Sequence, residues 1–521
     1  MSPEFKKIIY WLLPLVLIVS FAFFIHGRLV NFSDADSFYH IRHSWVYRTT
    51  GLFNTSFPWV QYSVINQYAA DIWYGFHMLI LPFTYFQNLT DGINWGALFV
   101  TTIAASLFFL SLLKLKIRWP LLWLGVFLFA SADLLYRITM LRPHPLSLGL
   151  SMLLFAYLST KETSRSRWVI FFLAAGLSWL HLSLSWMGLL IVGVVSMIEF
   201  IQQRKISIWK YLTVILGLLT GLILRPNPIG ATKLAYIQVV KLLFEKQGDA
   251  PLRFGRELTP FVWENFADQL VPIAILILIA VGFVIWLIAT KKWRAVPIDF
   301  RSPIISSLAL EIIFFLLTFG VARRSNEIFI GFAVLFVGLT FSQVKIWISK
   351  YEWQHYALGI AIFIALIYMP FKTMYRFDTY MAGTFPVDRF KEVTDWLKAN
   401  TQPEEIVFNI HWDRFAQLFY HDQHNYFING MDPIFEYAYD PSLYWKTHFL
   451  AIDAATSHTC GKVRCTAEEV EPIAQVLKKD FKASYILVEK QRSPKLSAYL
   501  NSAPEFNKVL DTDQDALYKI L

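Results

Sequence analysis

The sequence predicts a polytopic α-helical membrane protein with a soluble α/β domain at its C-terminus. Only 16% of the 521 residues are charged, against about 25% in soluble proteins, and 56% are hydrophobic. Two cysteines and 17% aromatic residues exclude a small disulfide scaffold and a disordered chain. The apolar residues are also unevenly placed, because runs of about 20, enough to cross a bilayer, end near Pro370.

The apolar runs predict about eleven membrane spans that are separated by short links. Basic clusters stand in these links, for example at 114–118 and 291–294, and the positive-inside rule assigns them to the cytoplasmic face. An odd number of spans then places the N-terminus in the cytoplasm and the C-terminal domain outside. The predicted spans are 8–26, 94–113, 119–136, 145–160, 168–184, 186–202, 208–225, 269–290, 303–321, 326–343 and 355–370.

One further apolar segment, Tyr68 to Phe86, would invert every later link if it crossed the membrane. Its Trp, Tyr and His residues suit the headgroup layer, and we therefore expect a helix in the outer interface. The segment belongs to a long external loop, 27–93, after the first span. That span lacks a small-x-small cleavage site, so it is expected to remain as an anchor and not to be a signal peptide.

Residues 1–370 are expected to form the membrane domain and residues 371–521 the external α/β domain. Charged residues return at ordinary density after this boundary. Helical periodicity covers 388–399, and short buried strands are predicted at 406–410 and 485–489.

Charge and cysteine content exclude other classes of function. The net charge of +9 comes mainly from the cytoplasmic links, and no basic patch with interleaved aromatic residues predicts nucleic-acid binding. Cys460 and Cys465 lack the two further ligands of a zinc site, which leaves a disulfide or a pair of free thiols. No G-x-S-x-G, Walker A, Rossmann or HExxH pattern occurs, so soluble nucleotide chemistry lacks support.

The first candidate for a catalytic site is the acidic pair Asp34 and Asp36, just beyond the first span. Two carboxylates held together can bind a divalent cation such as Mg²⁺ or Mn²⁺, or one can act as a general base. A solvated turn or a helix cap is the alternative for so short a motif. His40 and Arg42 follow closely, are candidates for binding an acceptor, and favour Asp36 as the base because it lies nearer to them.

Cationic residues recur at predicted external helix ends, where the positive-inside rule does not explain them. Arginine offers bidentate donors to a lipid-linked phosphate, whereas snorkelling to the interface is the alternative for any single side chain. Within the spans, Glu311 and His181 are candidates either for function or for hydrogen bonds between helices. The candidate phosphate-binding residues are Arg142, His144, Arg225, Arg323 and Arg324.

Two later segments are expected to complete a site. The external segment 226–267 is too long for a plain connection and is expected to cover the site, with Glu257 as a candidate for binding an acceptor. Trp412 and Asp413 follow the first predicted strand, where sites in open α/β sheets usually lie. They are further candidates for binding the acceptor.

The chain resembles the GT-C class of membrane glycosyltransferases, which use sugars linked to lipid phosphates. The resemblance rests on the acidic pair with the following YHIRHS, on WYGFHMLILPF, RPHP and ARRSNE, and on HWDRFAQLFY and NGMDP in the C-terminal domain. It covers the whole chain in layout. It implies that Asp34 or Asp36 is a general base or a metal ligand, that Arg323 and Arg324 hold the donor phosphate, and that transfer is inverting.

Catalytic subunits of oligosaccharyltransferases have a similar plan but carry WWDYG where this chain has HWDRF. Their second acidic motif is not evident, and Asp133 is the nearest candidate. The expected function is therefore transfer of one sugar from a polyprenyl-phosphate donor to a glycan, lipid or protein acceptor, at the outer face of a bacterial-type inner membrane. A lipid flippase, an oligosaccharyltransferase-like enzyme and a non-catalytic assembly protein are the alternatives.

Overall fold

The computed structural model describes residues 3–246, 252–343, 356, 359–361, 363–381 and 384–521, and its first part is helical. The helices up to residue 381 are α1 (Pro3–His26), α2 (Asp36–Thr50), α3 (Val64–Tyr68), α4 (Tyr74–Ile80), α5 (Leu89–Lys114), α6 (Pro120–Leu128), α7 (Ala132–Ile138), α8 (His144–Leu158), α9 (Ser164–Leu180), α10 (Trp186–Gln203), α11 (Ile208–Ile223), α12 (Pro228–Tyr236), α13 (Leu242–Glu245), α14 (Trp263–Gln269), α15 (Val271–Ala289), α16 (Ile298–Gly320), α17 (Asn326–Ser342) and α18 (Met369–Met381). Short 3₁₀ or π turns occupy Leu81–Tyr85, Leu182–Leu184, Ile237–Lys241, Arg256–Leu258, Lys292–Ala295, Arg323–Ser325, Ile364–Tyr368 and Trp412–Arg414.

Five of the described helices are long and apolar enough to cross a membrane, or seven spans if two bent pairs each count as one. One pair is α6 with α7, bent by 94°, and the other is α11 with Pro228–Glu245, bent by 111°. The first bend arises because Ser131 starts a new helix by accepting the N–H of Leu134 at 3.0 Å. The predicted count of about eleven spans is therefore not confirmed, and most of the predicted span 355–370 lies outside the described residues.

As predicted, the segment Tyr68–Phe86 is not among the candidate spans, but it does not form one continuous helix. It contains the last residue of α3, the short helix α4 and a 3₁₀ turn. Its expected position in the outer interface stays a prediction. Phe76 and His77 are fully buried, and Gly75 lies so close to Trp179 that a Cβ would overlap it. Trp73 and Tyr74 pack inside the protein as well, whereas Tyr85 and Phe86 at the end of the segment are exposed.

Residues 384–521, here called the sheet region, contain seven strands and six helices in their described part. The strands are β1 (Ile406–Asn409), β2 (Tyr426–Phe427), β3 (His458–Thr459), β4 (Glu471–Pro472), β5 (Tyr485–Glu489), β6 (Phe506–Asp511) and β7 (Asp515–Ile520). The helices are α19 (Lys391–Asn400), α20 (Phe415–His421), α21 (Pro433–Tyr439), α22 (Pro441–Ala451), α23 (Ile473–Lys479) and α24 (Pro494–Ser502).

Five of the strands form one sheet in the order β2-β1-β5-β7-β6. The first three of these strands run parallel, and the remaining pairs are antiparallel. The predicted strands and the predicted helix are confirmed as β1, β5 and α19.

One hydrophobic core joins segment 27–93 to the sheet region. Phe38 on α2 packs edge-on against Tyr420 on α20, with ring centroids 5.0 Å apart. The indole N–H of Trp59 donates to the carbonyl of Gln423 at 3.0 Å. Helix α2 is therefore held from the sheet side as well as by the helices around it.

Two sequence questions concern the C-terminal part of the chain. The sequence left open whether Cys460 and Cys465 are bonded or are free thiols, and in the structure they form a disulfide. The boundary expected at residue 371 lies within α18 and stays a prediction.

Candidate functional site

A polar cavity of about 550 Å³ lies where the start of α2, the turn Arg323–Ser325 and the loops after β1 and β2 meet. Because β1 and β2 are parallel, their carboxyl ends direct both loops to the same edge of the sheet. Segments that are far apart in sequence thus supply one cavity. Its charged lining residues are Asp34, Asp36, Asp133, Arg137, Arg142, Glu257, Arg323, Arg324, Asp413 and Asp432.

Arg142 holds the acidic pair in place. Its guanidinium binds Asp34 through both carboxylate oxygens, with Nε donating to Oδ2 at 2.6 Å. It also lies 2.8 Å from Oδ2 of Asp36 and 3.4 Å from Oε2 of Glu257. Asp34 further accepts the backbone N–H of Ser37 at 3.1 Å. Asp34 is therefore fully engaged, whereas Asp36 keeps 29% of its side chain exposed in the cavity.

The acids of the cavity differ in their affinity for protons. Burial raises the pKa of Asp36 to about 7, against the attraction of Arg142. Burial likewise raises the pKa of Asp432 to about 7. Burial would also raise the pKa of Glu257, but Arg142 and Arg137 hold it well below its usual value. Asp36 thus combines access to the cavity with a pKa near neutrality, as a general base requires.

The pair Asp34 and Asp36, as placed, does not fit a divalent cation. Magnesium or manganese would need free carboxylate oxygens, and both oxygens of Asp34 are bound by Arg142. Glu257, the nearest further acid, accepts from Arg137 at 2.9 Å as well. The sequence predicted that a metal ion could supply the positive charge between these two carboxylates. In the structure the guanidinium of Arg142 supplies that charge.

Arg324 differs from the other arginines of the cavity. Arg323 forms an ion pair with Asp133 at 2.8 Å, and Arg137 forms ion pairs with Glu257 and Glu327 at 2.9 and 3.1 Å. Across the described ranges, no residue forms an ion pair or a hydrogen bond with the side chain of Arg324. It is the cation of this cavity that has the most to gain from an anionic ligand.

A second cavity, of about 310 Å³ and mostly apolar, adjoins the first. Arg137, Leu258 and Arg324 line both cavities. The predicted phosphate-binding residue His144 and the intramembrane candidate His181 lie in the wall of this apolar cavity. An apolar chain could therefore lie in the second cavity while its charged end reaches Arg324.

Arg225 is not in the wall of either cavity. Its guanidinium donates to the carbonyl of Asp71 at 3.0 Å and to the carbonyl of Ser178. It lies 3% exposed and ties the end of α11 to the chain before α4. The structure thus places Arg225 apart from the predicted phosphate site, because backbone carbonyls bind its donors.

His40 and Arg42 also lie away from both cavities. Arg42 stacks on the rings of Trp45 and Tyr420, at 4.9 and 5.1 Å from their centroids. Sequence proximity to Asp36 suggested a shared site. Arg42, however, is six residues after Asp36 and points about 120° away from it around α2, whereas His40 is on the same side but about 6 Å further along the helix.

Other predicted residues lie in the polar cavity, beside residues that have no predicted role. Glu257, Trp412 and Asp413 line it, and Asp413 is held by Arg492 through both oxygens at 3.1 Å. The motif NGMDP contains Asp432, which the sequence alone does not assign to the site. Glu311 is buried in α16 and lines neither cavity.

No protein-family model matches the chain, and no curated protein matches its sequence significantly. Solved structures are nevertheless similar. The oligosaccharyltransferase of Archaeoglobus fulgidus, tethered with an acceptor peptide, has a TM-score of 0.60 at 10% identity and covers 100% of this chain and 75% of its own. ArnT from Cupriavidus metallidurans, bound to undecaprenyl phosphate, has a TM-score of 0.53 at 11% identity, over 98% of each chain.

The arabinofuranosyltransferase AftD from Mycobacteria has a TM-score of 0.56 at 13% identity, over 97% of this chain and 41% of its own. All three are GT-C glycosyltransferases. At these identities the similarity concerns the fold alone. The resemblance to the GT-C class that the sequence motifs suggested is therefore confirmed at the level of the fold.

Proposed function

We propose that this chain, which has the fold of GT-C glycosyltransferases, transfers a sugar from a polyprenyl-phosphate donor to an acceptor in the polar cavity. The observation that carries the proposal is the position of Arg324. It lines both the apolar cavity and the cavity of the acidic pair. Among the described residues no acid forms an ion pair with it, although Glu257, Glu327 and Asp432 are close enough to attract it. This arrangement suits a ligand with an apolar chain and a phosphate.

The donor lies with its prenyl chain along the apolar cavity and its phosphate at Arg324. His144 stands in the same wall and adds a polar contact. The bond between the sugar and the phosphate then lies in the polar cavity, beside Asp36. The undecaprenyl phosphate bound to ArnT is consistent with such a ligand for this fold.

Transfer proceeds by inverting displacement at the anomeric carbon. The acceptor hydroxyl attacks this carbon, its proton passes to the carboxylate of Asp36, and the lipid phosphate leaves with the electrons of the broken C–O bond. Arg324 stabilises the charge that develops on the departing phosphate. Trp412 and Asp413 bind the acceptor from the sheet side. Arg142 acts through Asp34 and Asp36 and positions them.

The test is a transfer assay with the full chain in detergent or liposomes, a radiolabelled polyprenyl-phosphate sugar and a crude envelope acceptor. We expect Asp36→Asn to lower the rate by about 10²–10⁴ while donor binding persists, because the general base is lost. We expect Arg324→Ala to weaken donor binding about tenfold, the loss of a charge-assisted contact. The exposed residues Asp395 and Arg294 supply the matched controls Asp395→Asn and Arg294→Ala.

Two results would contradict the proposal. Full transfer by Asp36→Asn would exclude Asp36 as the base. If label stays on the lipid with every acceptor while protein in liposomes moves the lipid across the bilayer, the chain is a flippase. An asparagine-containing peptide belongs among the acceptors, because one similar structure holds an acceptor peptide. Label on that peptide would assign the chain an oligosaccharyltransferase-like activity.

A further inference from the structure

A cluster of imidazoles and a carboxylate lies buried beside the polar cavity without lining it. Helix α2 contributes His40 and His43, the chain before α4 contributes Asp71, and α4 contributes His77. All four residues are at most 3% exposed. Ligand atoms of His43, Asp71 and His77 lie within 4.8 Å of one another. The glycosyl transfer proposed above uses none of these groups.

His43 and His77 each have one nitrogen available to the group of His43, Asp71 and His77, and the other nitrogen held by a residue outside this group. Nδ1 of His43 lies 2.8 Å from the hydroxyl of Tyr39, which leaves Nε2 available. Nε2 of His77 lies 2.9 Å from Nδ1 of His40, and its Nδ1 is hydrogen-bonded to Oδ2 of Asp71 at 2.6 Å. A metal ion between these two atoms would replace the proton that they share, whereas at Asp34 it would have to displace a guanidinium. Metal-bound histidines have this arrangement, in which the second nitrogen is held by an outer partner.

The carboxylate is oriented in the same way. Oδ1 of Asp71 accepts the backbone N–H of Trp73 at 2.8 Å, and the hydroxyl of Tyr47 donates to Oδ2 at 3.0 Å. The backbone contact turns Oδ2 towards His77. Three potential ligands therefore converge on one point, each positioned by a neighbour outside the group.

We propose that His43, Asp71 and His77 bind a divalent transition-metal ion, for which zinc is the best match. Two imidazoles and one carboxylate, with no thiolate, are a common zinc ligand set, and ligand atoms around zinc lie about 3.4 Å apart. The ligand atoms here lie within 4.8 Å of one another, and those of His77 and Asp71, now 2.6 Å apart, would separate when the ion binds. A water molecule or the Tyr47 hydroxyl completes the coordination.

The ion fastens α2 to α4. His43 stands seven residues after Asp36, or about 10 Å along the helix, so the ion is separate from the acidic pair. It stabilises the helix whose first residue is the proposed base. Its role is structural, and the proposal does not depend on the activity proposed above.

The test uses the full chain, purified in detergent and treated with a chelator. We expect one equivalent of Zn²⁺ to bind and to raise the thermal unfolding midpoint, and one equivalent of Co²⁺ to give the visible absorption of a tetrahedral cobalt site. Metal content of the protein before chelation gives an independent measure. Failure of the native chain to bind either ion would overturn the proposal and leave a network of hydrogen bonds.

Variants locate the ion. Asp71→Asn and His43→Gln should lose the cobalt absorption, whereas the exposed control His458→Ala should retain it. Asp36→Asn should also retain it, since that residue belongs to the polar cavity. Cobalt absorption that survives both Asp71→Asn and His43→Gln would place the ion elsewhere. The measurements on the native chain decide the question even if a buried variant fails to fold.

Discussion

Asp34 and Asp36 are two residues apart, yet one arginine makes them chemically different. Asp34 gives both oxygens to Arg142, whereas Asp36 gives one and keeps an open edge in the cavity. The bidentate pair leaves neither oxygen of Asp34 free to accept a proton from an acceptor hydroxyl, whereas Asp36 has room for one. The sequence favoured Asp36 because of His40 and Arg42, but the physical reason lies in Arg142.

Glu436 supports a prediction about pH and stability. It lies buried beside the loop of Trp412, and its oxygens accept from Asn429 and Thr447, both at 2.8 Å. Burial raises its pKa from 4.5 to about 7. Since the folded protein binds this proton more tightly than the unfolded chain, stability falls as pH rises from about 4.5 to about 7 and stays lower above that.

Glu436→Gln should remove this dependence. The variant should gain stability relative to the native chain between about pH 5 and pH 8, by on the order of 3 kcal/mol. The measurement is the thermal unfolding midpoint at both pH values. Glu468→Gln, at an exposed position, is the control and should behave like the native chain. An equal difference between Glu436→Gln and the native chain at both pH values would contradict the prediction.

Helix α2 carries residues of the polar cavity and of the buried histidine cluster on neighbouring turns. Asp36 at its start faces the polar cavity, and His40, His43 and Tyr47 follow at intervals of four, three and four residues. Such intervals keep side chains on one side of a helix. Movement of α2 would therefore displace the proposed base and disrupt the buried histidine cluster at the same time.

Helices α9 and α11 pack through glycines. Gly217 and Gly221 form a G-x-x-x-G motif, and a Cβ at either position would overlap a carbonyl oxygen of α9, that of Phe171 or of Ala175. Small residues at this spacing let membrane helices approach closely. The two helices can approach this closely because glycine has no side chain.

We predict that Gly221→Ala lowers the unfolding midpoint, at a cost of about 1–3 kcal/mol, because α11 must move away from α9. Gly193→Ala on α10 is the matched control, since a Cβ there meets nothing within 4 Å. That change should be neutral or stabilising by up to about 1 kcal/mol, as alanine favours helices. Equal midpoints for the two variants would argue against close packing at Gly221.

At the scale of the whole molecule, segment 27–93 and the sheet region share one core. Phe419 on α20 packs against Phe57 and Trp59, each at 5.1 Å between ring centroids, and against Tyr39 of α2 at 6.1 Å. A separate core lies within the sheet region and contains Phe506. The shared core thus joins the loops of the sheet region to the acidic pair.

We predict that Phe419→Ala costs about 3–5 kcal/mol and lowers the transfer rate at temperatures where the chain is still folded. The rate falls because α2 loses support from the sheet side. Phe506→Ala, in the separate core, is the control and should lower stability without slowing transfer in the folded protein. Transfer rates and unfolding midpoints of both variants give the comparison. An unchanged rate for Phe419→Ala would mean that the shared core does not position the site.

Most residues of the candidate site could be predicted from their residue type and sequence neighbours. Which of its charged residues pair with one another could not. Asp34, Asp36 and Arg324 stood out as charged residues beside apolar runs, where charge is costly and therefore informative. Arg225 satisfied the same criterion, yet the structure places it against backbone carbonyls. Nothing in the sequence separates these two kinds of arginine, because the partners lie more than forty positions away.

The sequence by itself determined the class of fold. Apolar runs with basic links indicate membrane helices, and alternation of strand and helix patterns after residue 400 indicates the sheet, because both signals depend on composition within a short window. The tertiary structure alone decided which charges remain available for a ligand. Arg323 is paired with Asp133, 190 residues earlier, and Arg324 beside it is not, since ion pairing depends on distances that only the folded chain sets.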